Sequence, residues 1–127
     1  MFKLVPIPGA PPEAPDTYLL LSTVREHFAQ DVPADDQVLI YATQRPASFG
    51  GLAEPSGPPA WKDIPSWAII GRQDHIIDPV SQHAMAERAG AKVTEIDASH
   101  VSMISHPDAV VEVINQALEA VGELQPA

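Results

Sequence analysis

Among the titratable side chains of this sequence, Asp74 and His100 are the two whose placement best suits joint chemistry. A carboxylate that holds an imidazole fixes its tautomer and stabilises the imidazolium, which makes the ring a general base. The ordinary imidazole pKa of about 6.5 suits proton transfer near neutrality. An acid followed later in the chain by its histidine is one of the orders found in nucleophilic hydrolases. Two other acids compete for the role. Asp78 stands directly before Pro79 and reads as a helix cap. Asp97 lies three residues before His100 and is within reach of a local turn contact.

The elements around the pair bring it together. Trp67-Ala68-Ile69-Ile70 is a short apolar run between Pro65 and Gly71, which predicts a buried strand. Asp78 caps a helix with Pro79 in its first turn, and Gly90 closes it. Lys92 to Ile96 predicts a second strand. Strand, helix and strand in that order form a crossover with parallel strands. Parallel neighbours lie about 4.8 Å apart, and their C-terminal ends face one way. Asp74, past the first strand, can thus meet His100, past the second. Open parallel sheets gather their chemistry at that edge.

These residues carry a resemblance. Gly71-Arg72-Gln73-Asp74-His75-Ile76-Ile77-Asp78-Pro79, then Gln82, Met85-Ala86 and Ala98-Ser99-His100, resembles the C-terminal part of the α/β-hydrolase fold. The esterase and hydroxynitrile-lyase-like branch is the closest. Gln44-Arg45-Pro46 and Pro59-Ala60-Trp61-Lys62 resemble that branch's connection from lid to core. The resemblance runs from about residue 16 to residue 121 and maps to the second half of such an enzyme. Its first half, with the oxyanion loop and nucleophile elbow, has no counterpart.

The resemblance implies an α/β fold: lid helices, then a parallel β-α-β unit and a C-terminal helix. Residues 1–15 would be a Pro-rich segment, 16–64 a lid-like helical region, 65–121 the C-terminal β-α-β-α subdomain and 122–127 a tail. Asp74 would be the acid and His100 the base, with Trp67, His75, Ile76 and Val101 against the substrate. The implied activity is hydrolysis of an ester or similar small molecule. The alternative is a non-catalytic remnant serving as a binding or dimerisation module.

A nucleophile is the missing part. None of the eight serines sits in Gly-x-Ser-x-Gly, and none follows an apolar strand on a sharp turn into a helix. Ser99 and Ser102 are near His100 in sequence, but a nucleophile needs a rigid turn and an oxyanion site beside it. The serine is therefore expected from outside this chain, which alone should be inactive. Two parallel strands also make a poor sheet. The free edge of the first strand invites a second copy or a companion chain.

Composition narrows the classes. The 127 residues make one domain or part of one, and 45% apolar content argues against disorder. A net charge of −10 repels nucleic acid. No stretch approaches the roughly 20 apolar residues of a membrane span. The expected partner is a small-molecule substrate, with neither nucleic acid nor membrane. Absence of cysteine removes disulfides and thiol nucleophiles and is compatible with the cytoplasm, the expected compartment. Asp74, His75, Asp78, His83, His100 and His106 crowd one stretch, yet no spacing matches a metal site, so neither metal nor cofactor is expected. Trp61, Trp67, Met85 and Met103 read as packing residues.

The remaining elements follow from punctuation. The 14 prolines cluster at 6–15 and 46–65 and mark connectors. Residues 16–30 suit a helix, with Tyr18, Leu21, Val24 and Phe28 on one face, although Tyr18 to Leu21 also fits extended chain. Asp31 to Asp36 reads as a helix start whose helix carries Val38, Leu39, Tyr41 and Ala42 and stops before Pro46, with Arg45 in its last turn. A helical turn is expected near Ala47 to Leu52. Ser105 reads as the cap of a last helix, with Pro107 in its first turn. Val110, Val111, Ile114, Ala117, Leu118 and Val121 form a stripe expected to pack on the sheet.

Overall fold

The computed structural model describes residues 2–9, 11, 15–48 and 50–123. The chain divides into two compact units, 1–58 and 59–127.

The second unit holds the parallel crossover. Strand β4, Trp67–Gly71, pairs in parallel with β5, Lys92–Ile96, in the register Trp67↔Lys92 to Gly71↔Ile96. Helix α3, Pro79–Ala89, connects them. Its ends are built as their residue types demand. Asp78 accepts from the Ser81 N–H at 2.9 Å, and Pro79, lacking an N–H, costs nothing in the first turn. At the other end Gly90 adopts φ 62°, the left-handed conformation that a Cβ disfavours. Its N–H donates back to Glu87, and that of Ala91 to Ala86.

Pairing does not stop at the strand ends. Lys92 N–H donates to the Ser66 carbonyl at 2.9 Å before the strands begin. Beyond them, Arg72 N–H donates to Ile96 at 2.9 Å and Gln73 N–H to Ala98 at 3.1 Å. The two loops leaving the strands are thus zipped together for two further bonds. The core here is small: Ile70, Ala86, Ala98, Val101 and Val113 are buried.

Ser105 does not cap the last helix. It closes a separate turn of helix, α4, Ser102–Ser105, and its hydroxyl has no hydrogen-bond partner among the described residues. Helix α5 then runs Pro107–Glu123, with Val110 N–H donating to the His106 carbonyl. Its apolar stripe packs only in part. Val113 is buried and Val110 and Ala117 are half-buried, while Val111, Ile114, Leu118 and Val121 are exposed. Two strands offer too narrow a face to cover 17 helical residues. Of the tail expected over 122–127, the first two residues are still helical, and the last four lie outside the described residues.

The first unit holds helices ahead of the crossover, as expected, together with a small antiparallel sheet that the sequence did not announce. Strand β1, Phe2–Val5, pairs antiparallel with β2, Asp16–Leu19, and β2 pairs antiparallel with the two-residue β3, Ala47–Ser48. The stretch Tyr18 to Leu21 therefore takes the extended alternative for its first residues. Helix α1, Leu21–Thr23, continues as a π-helical turn, Val24–Phe28, closed by an Ala29 N–H to Val24 bond of 2.8 Å. Helix α2 covers Ala34–Thr43, so Asp31 lies outside it, Asp35 and Asp36 occupy the first turn, and Arg45 lies past its end. Its Val38, Leu39 and Tyr41 are exposed, and the buried side chain is Gln37. The Gln37 amide donates to the Ala29 and Val32 carbonyls, each at 3.0 Å, tying the preceding turn to the helix. The Gln44 amide acts as a strand surrogate at the end of β2. It accepts from the Leu19 N–H at 2.7 Å and donates to the Leu19 carbonyl at 3.1 Å. The helical turn near Ala47 to Leu52 forms later than expected, as a 3-10 turn over Gly50–Ala53.

Candidate functional site

Asp74 and His100 meet. The Gly71 carbonyl accepts from the Asp74 N–H at 3.1 Å, closing a turn over Gly71, Arg72, Gln73 and Asp74. That turn lifts Asp74 just past the last zipped pair, Gln73 and Ala98. On the other strand, His100 stands two residues past Ala98. Its Nδ1–H donates to Asp74 Oδ2 at 2.8 Å. An ionised carboxylate only accepts, so Nδ1 carries the proton in this contact and Nε2 is the basic nitrogen of the neutral ring.

The carboxylate is held on every side. Oδ1 accepts from the backbone N–H groups of Ile76, at 2.8 Å, and Ile77, at 3.0 Å. This local turn is one that an aspartate favours. Oδ2 accepts from the Gln82 side-chain amide at 2.9 Å as well as from His100. Asp74 is only 6% exposed. Burial by itself pushes its pKa up, because water no longer stabilises the charge. The hydrogen bonds from His100, Ile77 and Ile76 outweigh burial, and the pKa lies below the ordinary carboxylate value.

The rival acids are occupied elsewhere. Asp78 holds the Ser81 N–H and, at 2.6 Å, the Ser81 hydroxyl. Those bonds lower its pKa. Asp97 accepts from Arg72 Nη1 at 3.1 Å, and Glu95 accepts from Arg72 Nε at 3.0 Å. The same two bonds, Asp97 first, raise the Arg72 pKa. His83, exposed on α3, lies 3.4 Å from the other oxygen of Glu95. Among the described residues no three His, Cys, Asp or Glu side chains gather as a metal ion would require.

Beside the pair lies a hollow of about 600 Å³. Strand β4 lines it along its length from Trp67 to Ile70, flanked by Gln82, Met85 and Ala86 of α3 and by Val113, Ile114 and Ala117 of α5. Asp74 and His100 reach into it. Of the residues expected against a substrate, Trp67 lines the hollow. Val101 is buried in the core, His75 is exposed on the loop, and Ile76 takes part through its backbone. None of these three lines the hollow. Met85 and Met103, expected as core, are half-exposed and line it instead, with Ile77 and Ser102. Trp61 is stacked by Arg88 and Trp67 by Lys92, at 5.8 and 5.2 Å.

Gln82 and Gly71 appear in the sequence reading only as part of the resemblance and as a strand boundary, yet both shape the surroundings of the pair. Gln82 could have been found from its place four residues after the cap Asp78, where the first helical turn faces the Asp74 loop. Gly71 could not, because the demand on it comes from the opposite loop.

A parallel pair of strands joined by a crossover helix and preceded by helices matches part of an α/β-hydrolase fold. The sequence bears this out: the model of the alpha/beta hydrolase family matches residues 2–113, and the chain belongs to that family. No curated protein sequence gives a significant match. Among solved structures the chain is similar to polyneuridine aldehyde esterase, with a TM-score of 0.74 and 23% identity over 95% of this chain and 48% of that one. A histidine-to-alanine mutant of that esterase matches equally, with a TM-score of 0.73 and 23% identity over 94% and 48%. A methylesterase from Arabidopsis matches with a TM-score of 0.76 and 18% identity over 93% and 52%. The chain spans about half the length of these structures.

Proposed function

We propose that this chain supplies the acid and base of an esterase that acts on small carboxylic esters, with the nucleophilic serine provided by polypeptide outside these 127 residues. The observation that carries the reading is the 2.8 Å hydrogen bond from His100 Nδ1 to a nearly buried Asp74, beside an apolar hollow. With Nδ1–H held by the carboxylate, His100 Nε2 takes the proton from the serine hydroxyl as its oxygen attacks the ester carbon. The imidazolium returns that proton to the departing alcohol, leaving an acyl-enzyme. Water repeats the exchange and releases the acid. The apolar walls from Trp67, Met85 and Met103 suit an uncharged acyl or alcohol group. The names of the similar structures, polyneuridine aldehyde esterase and a methylesterase, favour esters over other acyl substrates.

In this reading the nucleophile-bearing partner pairs along β4, which has a strand on one side only among the described residues. That same edge, with Ile114 and Leu118 exposed on α5, favours a second reading, a non-catalytic module that binds or dimerises. One assay separates the two. Hydrolysis of a p-nitrophenyl ester is measured with the chain alone, with an added N-terminal half of a related esterase, and with His100→Ala in both. Turnover that arises only on mixing and is lost in the variant supports the esterase. Absence of turnover in every pairing, with a dimer by light scattering, supports the module. Among the described residues no helix is long and apolar enough to cross a membrane.

A further inference from the structure

We propose that Gln82 is a positioning residue of the Asp–His pair, its side-chain amide clamping Asp74 from α3 and moderating the basicity of His100. The two hydrogens on Gln82 Nε2 serve two acceptors on the same loop. One goes to Asp74 Oδ2 at 2.9 Å and the other to the Ile77 carbonyl at 2.6 Å. The amide thus spans the turn that presents the carboxylate. The base of the clamp is firm, because Gln82 N–H makes a helical bond to the carbonyl of the cap residue Asp78 at 3.1 Å. The position of Oδ2 is in this way referred to the first turn of a capped helix.

Gln82 completes a set. Two backbone donors on Oδ1 and two side-chain donors on Oδ2 fill the roughly four lone-pair sites of a carboxylate. A neutral donor is suited to this place. It holds the oxygen without cancelling its charge, yet it draws off part of the charge that His100 would otherwise receive alone. Four neighbouring charged or titratable groups have partners of their own. Asp78 turns to Ser81, Asp97 and Glu95 turn to Arg72, and His83 turns to Glu95. His75 lies exposed on the loop.

The sign of the effect follows. Without the amide, Oδ2 presents its full charge to His100 and favours the imidazolium. With a carboxylate in place of the amide, negative charge is added and the imidazolium gains further. The functional meaning rests on Asp74 and His100 being acid and base, but the measurement needs no turnover. A shifted titration without esterase activity would sink that reading and keep this one, and the reverse pattern would do the opposite.

The experiment is a pH titration of the His100 ring by NMR in the unmodified chain, in Gln82→Met and in Gln82→Glu. The His100 pKa is expected to rise by about half a unit or more in Gln82→Met, and further in Gln82→Glu. A His100 pKa within about 0.2 units of the unmodified value in both folded variants would overturn the proposal. Should neither variant fold, the unmodified chain decides. Its Gln82 side-chain amide resonances must move with the titration of Asp74, below the ordinary carboxylate range, and resonances that ignore that titration overturn it equally.

Discussion

Gly71 and Ala98 stand so close that no side chain fits between them. A Cβ on Gly71 would lie 2.6 Å from the Ala98 carbonyl oxygen and 2.8 Å from that of Ser99. Gly71 does not have a positive φ, so space is its sole demand. The approach is fixed by the Gln73 to Ala98 hydrogen bond just above it. Folding the His100 loop over the end of β4 in this way brings the imidazole to Asp74.

Gly71→Ala should therefore act on the site as well as on stability. We expect a loss of about 1–3 kcal/mol, the range for overpacking a closed contact. The downfield Nδ1–H resonance of His100 should weaken with it, as the Ala98–Ser99 backbone is pushed off the strand. Denaturant unfolding and a proton NMR spectrum together check both. An unchanged resonance would mean that the loop yields without moving the ring.

Gly90 offers the opposite case. It has φ 62° and nothing within 4 Å of a built Cβ, so its demand is conformational. Gly90→Ala should cost about 1 kcal/mol, and Gly90→Asn less, since Asn enters the left-handed region more readily. At Gly71 the order should reverse, with Asn worse than Ala. Unfolding free energies of the four variants test the crossing pattern.

Asp74 links stability to pH. Its folded pKa is depressed, because the bonds from His100, Ile77 and Ile76 outweigh burial. The stability it contributes is therefore complete above the unfolded carboxylate value of about 3.9 and is lost as pH falls through the lower folded value. Asp74→Asn should lower stability near neutrality by about 1.5–3 kcal/mol, the scale of hydrogen bonds to a charged group. It should also flatten the decline below about pH 4. Urea midpoints compared near neutrality and at about pH 3 would show parallel curves if this carboxylate were not the linked group.

The core and the exposed helix face should respond differently to truncation. Ile70 is 1% exposed and is the largest fully buried side chain among the described residues. Ile70→Ala should cost about 2–5 kcal/mol and Ile70→Val about 0.5–1.5 kcal/mol. Leu118, 66% exposed on α5, should change stability by no more than about 0.5 kcal/mol on replacement by Ala. A larger and concentration-dependent loss at Leu118 would reveal that a second copy covers this face in solution.

The crossover could be read from the chain because its signals are local. An apolar run between Pro65 and Gly71, a cap followed by proline, and a glycine after the last helical turn each act within a few residues. The three-stranded sheet of the first unit gave no such signal. Thr17 reaches Ala47 across 30 residues through its hydroxyl, at 2.7 Å, and Leu19 finds Gln44 across 25. The four-residue extended stretches of β1 and β2 are too short to show a period, and their pairing is decided by partners far along the chain.

The same division runs through the site. Residue types and their order alone determined the pairing of Asp74 with His100, because parallel strands must place their following loops side by side. Tertiary structure decided everything that depends on contacts between those loops and their surroundings. It turned Asp97 to Arg72, put Gln82 on the carboxylate, drew Gly71 against Ala98 and buried Val101 while leaving Met103 on the hollow. A sequence records which groups are present. Which of them share an oxygen or compete for the same volume is settled only when packing brings distant parts of the chain within bonding distance.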